Sequence, residues 1–237
     1  MDAALEHIDN WIFDLDNTLY PASCNLHSHM GDRIGMFVAQ ALNVSADDAR
    51  HVQKEFFLQY GTTLSGMMAE HKTDPYAYLE FVHDFPLISL QKAPRLAARM
   101  AKLPGRKIIF TNADAPYAQR VLAELEMQDS FEQIVDIHAI NYLPKPDETA
   151  YRTLLQQTGI DPARSIFFED QARNLAPAKQ LGMTTVWVDG NIGFGQPLAD
   201  DDHIDYRTDN LAAWLDTAID ALQINAVPTT AQCKDEL

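Results

Sequence analysis

Downstream of Pro94 the chain alternates between short apolar runs and amphipathic stretches, a pattern that restricts the fold more than any other feature. Lys107-Ile108-Ile109-Phe110, Ile134-Val135-Asp136-Ile137, Ser165-Ile166-Phe167-Phe168 and Thr184 to Val188 each have strand length and apolar or β-branched content. Between them lie helical patterns over roughly 116–127, over 147–158 closed by Gly159, and from about Asn174 to Leu181-Gly182, with Pro177 expected in the first turn. Asp161-Pro162 opens a turn or short helix, and Leu211 to Leu222 reads as a last amphipathic helix. Strands separated by helices pair in parallel, so the pattern predicts a doubly wound, mainly parallel, Rossmann-like α/β sheet.

One further strand stands far upstream. Trp11-Ile12-Phe13 is short and fully apolar, as a strand buried on both faces should be. The segment between it and Pro94 is helical throughout. Leu26, Met30, Ile34, Phe37, Val38, Ala41 and Leu42 recur at spacings of three and four. Ser45 with Asp48 makes a capping pair, and Asp74-Pro75 is a cap followed by a first-turn proline. The expected organisation is a discontinuous core, residues 1–20 and 94–224, interrupted by an all-helical insertion, 21–93, with a polar tail at 225–237.

At 237 residues, 46% hydrophobic and 22% charged, the chain has room for a core and a smaller domain. A net charge of −16 argues against a nucleic acid polymer as partner, since backbone binding needs clustered Lys and Arg. No apolar run suits a membrane helix, and the acidic start is unlike a secretory leader. With only Cys24 and Cys233, a reduced, cytoplasmic setting is expected for a monomer or homodimer. The terminal Lys234-Asp235-Glu236-Leu237 is therefore expected to be a coincidence rather than a retention address.

Chemistry-bearing residues gather at the carboxyl ends of the expected strands. The first strand runs into Asp14 and Asp16, the next into Thr111-Asn112-Ala113-Asp114. A later loop holds Lys145 in Leu143-Pro144-Lys145-Pro146-Asp147, and another strand ends in Glu169-Asp170. Open parallel sheets bind ligands at that edge. A carboxylate pair there implies a metal ion or covalent catalysis by one Asp assisted by the other. Asp14, Asp16, Glu169 and Asp170 face a single cation, Lys145. Carboxylates about 4 Å apart repel by roughly 4 kcal/mol at an effective dielectric near 20, so a divalent cation would relieve the site. An all-oxygen donor set without His or Cys favours Mg²⁺ over zinc, and such sites commonly handle phosphate.

The order DLDNT, FTNA, KPD and FFEDQARNL resembles the haloacid-dehalogenase-like phosphohydrolase superfamily over nearly the whole chain. The resemblance implies that Asp14 is a nucleophile forming an aspartyl-phosphate and that Asp16 is the general acid/base. It implies that Thr111 and Lys145 hold the transferring phosphoryl group, with Asn112 beside them. Asp14, Glu169, Asp170 and the Asp16 backbone carbonyl would surround Mg²⁺. Members that cleave carbon–halogen bonds lack the second aspartate. The fourth motif reads Glu-Asp where Asp-Asp is common, and Asp170 is the favoured direct ligand.

The stretches Tyr60 to Met67, Asp74 to Tyr78 and Phe81 to Leu87, with DLDNTLYP, are similar to the pyrimidine 5′-nucleotidase subfamily. The expected substrate is thus a small phosphorylated metabolite, a pyrimidine nucleoside 5′-monophosphate, with a sugar phosphate or a phosphomutase reaction as alternatives. Thr62 and Thr63 are expected to offer hydroxyls to the ribose or base. Tyr20 and His27 are expected in core or surface roles, with the cleft mouth as the alternative; the His83-Asp84 pair is expected in structural support rather than catalysis, and Asn174 is expected to orient the acidic loop.

Overall fold

A computed structural model describes residues 5–190 and 202–225. The expected tail beyond Asn225, with Cys233 and the terminal tetrapeptide, lies outside the described residues. Strands β1 (Asn10–Phe13), β2 (Arg106–Phe110), β3 (Gln133–Val135), β4 (Ser165–Glu169), β5 (Thr184–Val188) and β6 (Tyr206–Thr208) form one sheet. Their order is β3-β2-β1-β4-β5-β6, with every neighbouring pair parallel.

The period-two alternation of each strand sorts its side chains between two cores. Trp11, Phe13, Ile109, Ile166, Phe168, Val186 and Val188 share one cluster. Ile12, Ile108, Phe110, Phe167 and Trp187 belong to the other. The first face is covered by α5 (Pro94–Met100), α6 (Ala115–Glu124) and α9 (Leu211–Asn225), which contribute Met100, Val121 and Leu215. The second is covered by α7 (Glu148–Thr158) and α8 (Ala172–Gln180) through Tyr151, Leu154 and Leu175. Helices on both faces make the sheet doubly wound. Stacking of Phe13 on Phe168, ring centres 4.6 Å apart, ties the two central strands.

Four α-helices lie between β1 and α5. They are α1 (Leu26–Leu42), α2 (Ala46–Tyr60), α3 (Thr63–His71) and α4 (Pro75–His83). Their starts are set by side-chain caps: Ser45 accepts from Asp48 N, Thr62 from Ser65 N, and Asp74 from Tyr76 N. Val38, Ala49, Phe56, Leu64, Met67, Tyr78 and Val82 are buried and join the second core cluster. At Gly66 a Cβ would lie 2.3 Å from the Phe56 ring, so α2 and α3 approach as closely as they do only because that position has no side chain.

Three local expectations are corrected. Strand β3 ends at Val135, because the Asp136 carboxylate turns back to accept from Ala115 N and Ala139 N, both at 2.9 Å. Helix α8 begins at Ala172, which puts Pro177 inside the helix, beyond its first turn, and leaves the Arg173 carbonyl without its helical donor. The three-residue edge strand β6, half exposed, carried no run long enough to announce it.

Candidate active site

The chain leaves β1, crosses to β2 and β3 on one side, then returns to place β4 on the other side of β1. The connections diverge above β1 and β4, opening the crevice where parallel sheets receive ligands. Asp14 is the first residue past β1, and its N–H still donates to Phe168 O at 2.9 Å. The chain then turns at once through Asn17, whose left-handed φ of 58° is one that Asn tolerates. Glu169 closes β4, and Asp170 follows it. Thr111 continues β2, its N–H bonded to Val135 O at 3.1 Å.

Lys145 enters this crevice from the loop between β3 and α7. Its Nζ donates to Asp14 Oδ1 at 2.7 Å, to Glu169 Oε2 at 2.7 Å and to Phe110 O at 2.9 Å. All three of its protons are thereby engaged, with the side chain 1% exposed. Asn112 fixes the lysine's backbone from both sides, donating Nδ2–H to Lys145 O at 3.3 Å and accepting from Lys145 N at 2.9 Å. Thr111 Oγ1 accepts from Ala113 N at 3.0 Å, which leaves its O–H to donate elsewhere.

The electrostatics show an overcharged site. Burial, and then the neighbouring Glu169, push the Asp14 carboxyl up to about 8 despite Lys145. Burial, then Glu169 and Asp14, push Asp170 up to about 9. Burial opposes the charge on Lys145, but Asp14 and Glu169 more than offset it and hold the ammonium above its ordinary range. Ligand oxygens of Asp14, Glu169 and Asp170 lie within 4.8 Å of one another, all three residues buried. An all-oxygen cluster whose carboxyls resist ionisation suits a hard divalent cation such as Mg²⁺. The acids are held unequally. Glu169 is engaged at both oxygens, by Lys145 and by Gln171 N at 3.0 Å. Asp170 Oδ2 accepts from the neutral amides of Gln171 (2.9 Å) and Asn17 (3.4 Å), while its carboxyl also meets that of Glu169.

Asp16 sits apart from that cluster. Its Oδ1 accepts from the Tyr117 hydroxyl at 3.0 Å and from the Tyr20 hydroxyl. Burial and the Asp16 charge raise both phenols, so they remain donors. The Tyr117 ring stacks on His83, centres 4.3 Å apart at 16°. His83 Nδ1 in turn lies 2.8 Å from Asp114 Oδ1.

The structure thus brings Asp14, Asp16, Thr111, Lys145, Glu169 and Asp170 to one edge, with Asn112 behind Lys145. The hydroxyls of Thr62 and Thr63 are engaged within and beside the helical segment. Thr62 caps α3 and contacts Ser65 Oγ at 2.8 Å, and Thr63 donates to Gln53 O at 3.3 Å. Asn174 differs from expectation: its buried Oδ1 has no partner among the described residues, while its carbonyl accepts from Tyr151. Sequence reasoning missed Tyr117, because an aromatic on the buried face of an amphipathic helix reads as core.

The chain matches, over residues 8–182, the family model of the haloacid dehalogenase-like hydrolases. The chain belongs to this family. Among curated relatives, "Phosphate metabolism protein 8" of Saccharomyces cerevisiae is 26% identical over 189 residues, covering 73% of this chain and 59% of that protein. The match therefore spans under two thirds of the yeast protein's length. "Phosphoglycolate phosphatase" of Neisseria gonorrhoeae is 25% identical over 226 residues, 85% of this chain and 89% of that one. Among solved structures, a HAD phosphatase from Thermococcus onnurineus superposes with a TM-score of 0.61 at 18% identity, covering 89% of this chain and 98% of that one. No helix among the described residues is long and apolar enough to cross a membrane.

Proposed function

We propose that the chain is a divalent-cation-dependent phosphomonoesterase that transfers the phosphoryl group of a small metabolite to Asp14 and then to water. The observation that carries this reading is Lys145, whose single buried ammonium lies 2.7 Å from both Asp14 and Glu169. Lys145 takes one oxygen of Asp14, and the other has no hydrogen-bond partner among the described residues. That second oxygen attacks phosphorus while the ester P–O bond breaks, which needs little beyond positioning and charge neutralisation. Asp16 gives its proton to the departing alkoxide, then accepts a proton from the water that opens the aspartyl-phosphate. The Thr111 hydroxyl donates to a phosphoryl oxygen, and the Lys145 ammonium, its protons engaged by protein oxygens, attracts the phosphoryl group through its charge. Asp14, Asp170 and Glu169 would hold a Mg²⁺, which would supply compensating positive charge for the phosphoryl group. A halide leaving group has no use for a proton, so a positioned Asp16 favours ester cleavage over dehalogenation.

The helical segment 21–93 serves as a cap, and the stretches around residues 60–67 and 74–87 favour pyrimidine nucleoside 5′-monophosphates as substrates. A second reading, a small acid or sugar phosphate, is favoured by the Neisseria relative, whose name specifies phosphoglycolate and which matches over 89% of its length. Phosphate release from UMP, CMP, AMP, phosphoglycolate and glucose phosphates, each with Mg²⁺ and with chelator, separates them. Preference for UMP or CMP supports the first reading, and preference for phosphoglycolate the second. Cation-independent turnover of every ester would overturn both.

A further inference from the structure

The acid/base Asp16 is gripped in a way that ordinary burial of two tyrosines does not require. Tyr20 and Tyr117 are 3% and 1% exposed, and their hydroxyl oxygens are 3.4 Å apart, close enough to satisfy one another. Instead both donate to the same carboxylate oxygen, Asp16 Oδ1. They approach it from independent elements. Tyr20 comes from the turn that follows the first motif, and Tyr117 from the first turn of α6, whose start is fixed by Asp114 accepting from Tyr117 N at 3.2 Å. The Tyr117 ring is braced in turn. It stacks on His83 at the end of α4, His83 Nδ1 lies 2.8 Å from Asp114 Oδ1, and Arg120 donates to the carbonyls of His83 and Phe85 at 2.8 Å each. Asp16 Oδ2 makes no hydrogen bond to any described residue.

We infer that Tyr20 and Tyr117 are positioning residues that clamp Asp16 by one oxygen, so that the other carries the proton to and from the substrate. The inference rests on the reading of Asp16 as acid/base above. A carboxylate on a single Cβ–Cγ bond rotates freely in a half-open cleft. Two donors on one oxygen fix both its rotation and which oxygen faces the leaving group, and such positioning is a large part of what general acid catalysis requires. The brace through His83 joins this clamp to the last of the four inserted helices, so the proton donor is aligned when α4 is docked.

The test uses a leaving-group contrast, because an acid matters only where the departing oxygen needs a proton. kcat/KM is measured for an alkyl phosphate that the enzyme hydrolyses and for p-nitrophenyl phosphate, whose phenolate leaves unaided. The variants are Tyr20→Phe, Tyr117→Phe, the double variant and Asp16→Ala, with thermal melts confirming the fold. Phe keeps each ring and removes only the hydroxyl. The double variant is expected to lose about 100-fold on the alkyl ester and less than about 3-fold on p-nitrophenyl phosphate, following Asp16→Ala in pattern. Equal losses on both substrates would mark the tyrosines as merely structural and overturn the clamp, as would no loss on either. If Asp16→Ala itself loses equally on both, the acid/base reading has failed first and the clamp falls with it.

Discussion

At the scale of single residues, Lys145 determines whether the site is tolerable at all. Its ammonium neutralises two carboxylates that would otherwise face each other in a dry crevice. Lys145→Met is expected to abolish turnover and to cost about 3 kcal/mol of stability at neutral pH without added cation, read from urea midpoints. Asp14→Asn should abolish turnover while leaving the urea midpoint unchanged or raised, because it removes one of the mutually repelling acids; wild-type turnover in this variant would end the covalent reading. These residues were legible because each sits within a residue or two of a strand end, or in a loop with a recognisable proline pattern. Asn112 was half legible. It was expected beside the phosphate, and its amide pins the lysine's main chain. Tyr117 could not be read, since its partner is remote in sequence and an aromatic ring on a packed helix looks the same whether or not its hydroxyl has work to do; His83 was expected in a structural role, but beside Asp84 and not beside the sequence-remote Asp114.

At the scale of elements, caps and close contacts explain why the inserted helices start and meet where they do. Thr62 has its hydroxyl committed to the start of α3, so Thr62→Ala is expected to lower stability by about 1 kcal/mol in chemical denaturation. Its KM should stay near wild type; a rise of tenfold or more with an unchanged denaturation midpoint would place the hydroxyl on the ligand instead. Gly66→Ala drives a methyl into Phe56 and is expected to cost about 1–3 kcal/mol, measured the same way. The caps at Ser45 and Asp74 were readable because Ser or Asp before a helical period has a local mechanism. The start of α8 was not. Two residues of extra helix ahead of Asn174 depend on packing of Ala172 and Leu175 under the sheet, which no local pattern encodes.

At the scale of the whole molecule, the sheet concentrates negative charge at one edge, and pH reads this out. Asp14 and Asp170 are shifted from an ordinary carboxylate value of 3.8 to about 8 and about 9. Between roughly pH 4 and pH 9 the folded, cation-free protein therefore binds more protons than the unfolded chain, so its stability falls as pH rises. The melting temperature without cation is expected to be several degrees lower at pH 9 than at pH 6. Saturating Mg²⁺ should remove most of that difference, and Asp170→Asn should flatten the cation-free slope; an identical slope in this variant would show that other groups cause it. The parallel topology has a further consequence for how the protein is made. Asp14 and the lysine that neutralises it are 131 residues apart, and β1 lies between strands that both follow it in the chain. At about 5–20 residues per second, the first strand leaves the ribosome on the order of ten seconds before the cation that its carboxylate needs. The nucleophile is synthesised early, and its site comes into being only when the second half of the sheet closes around it.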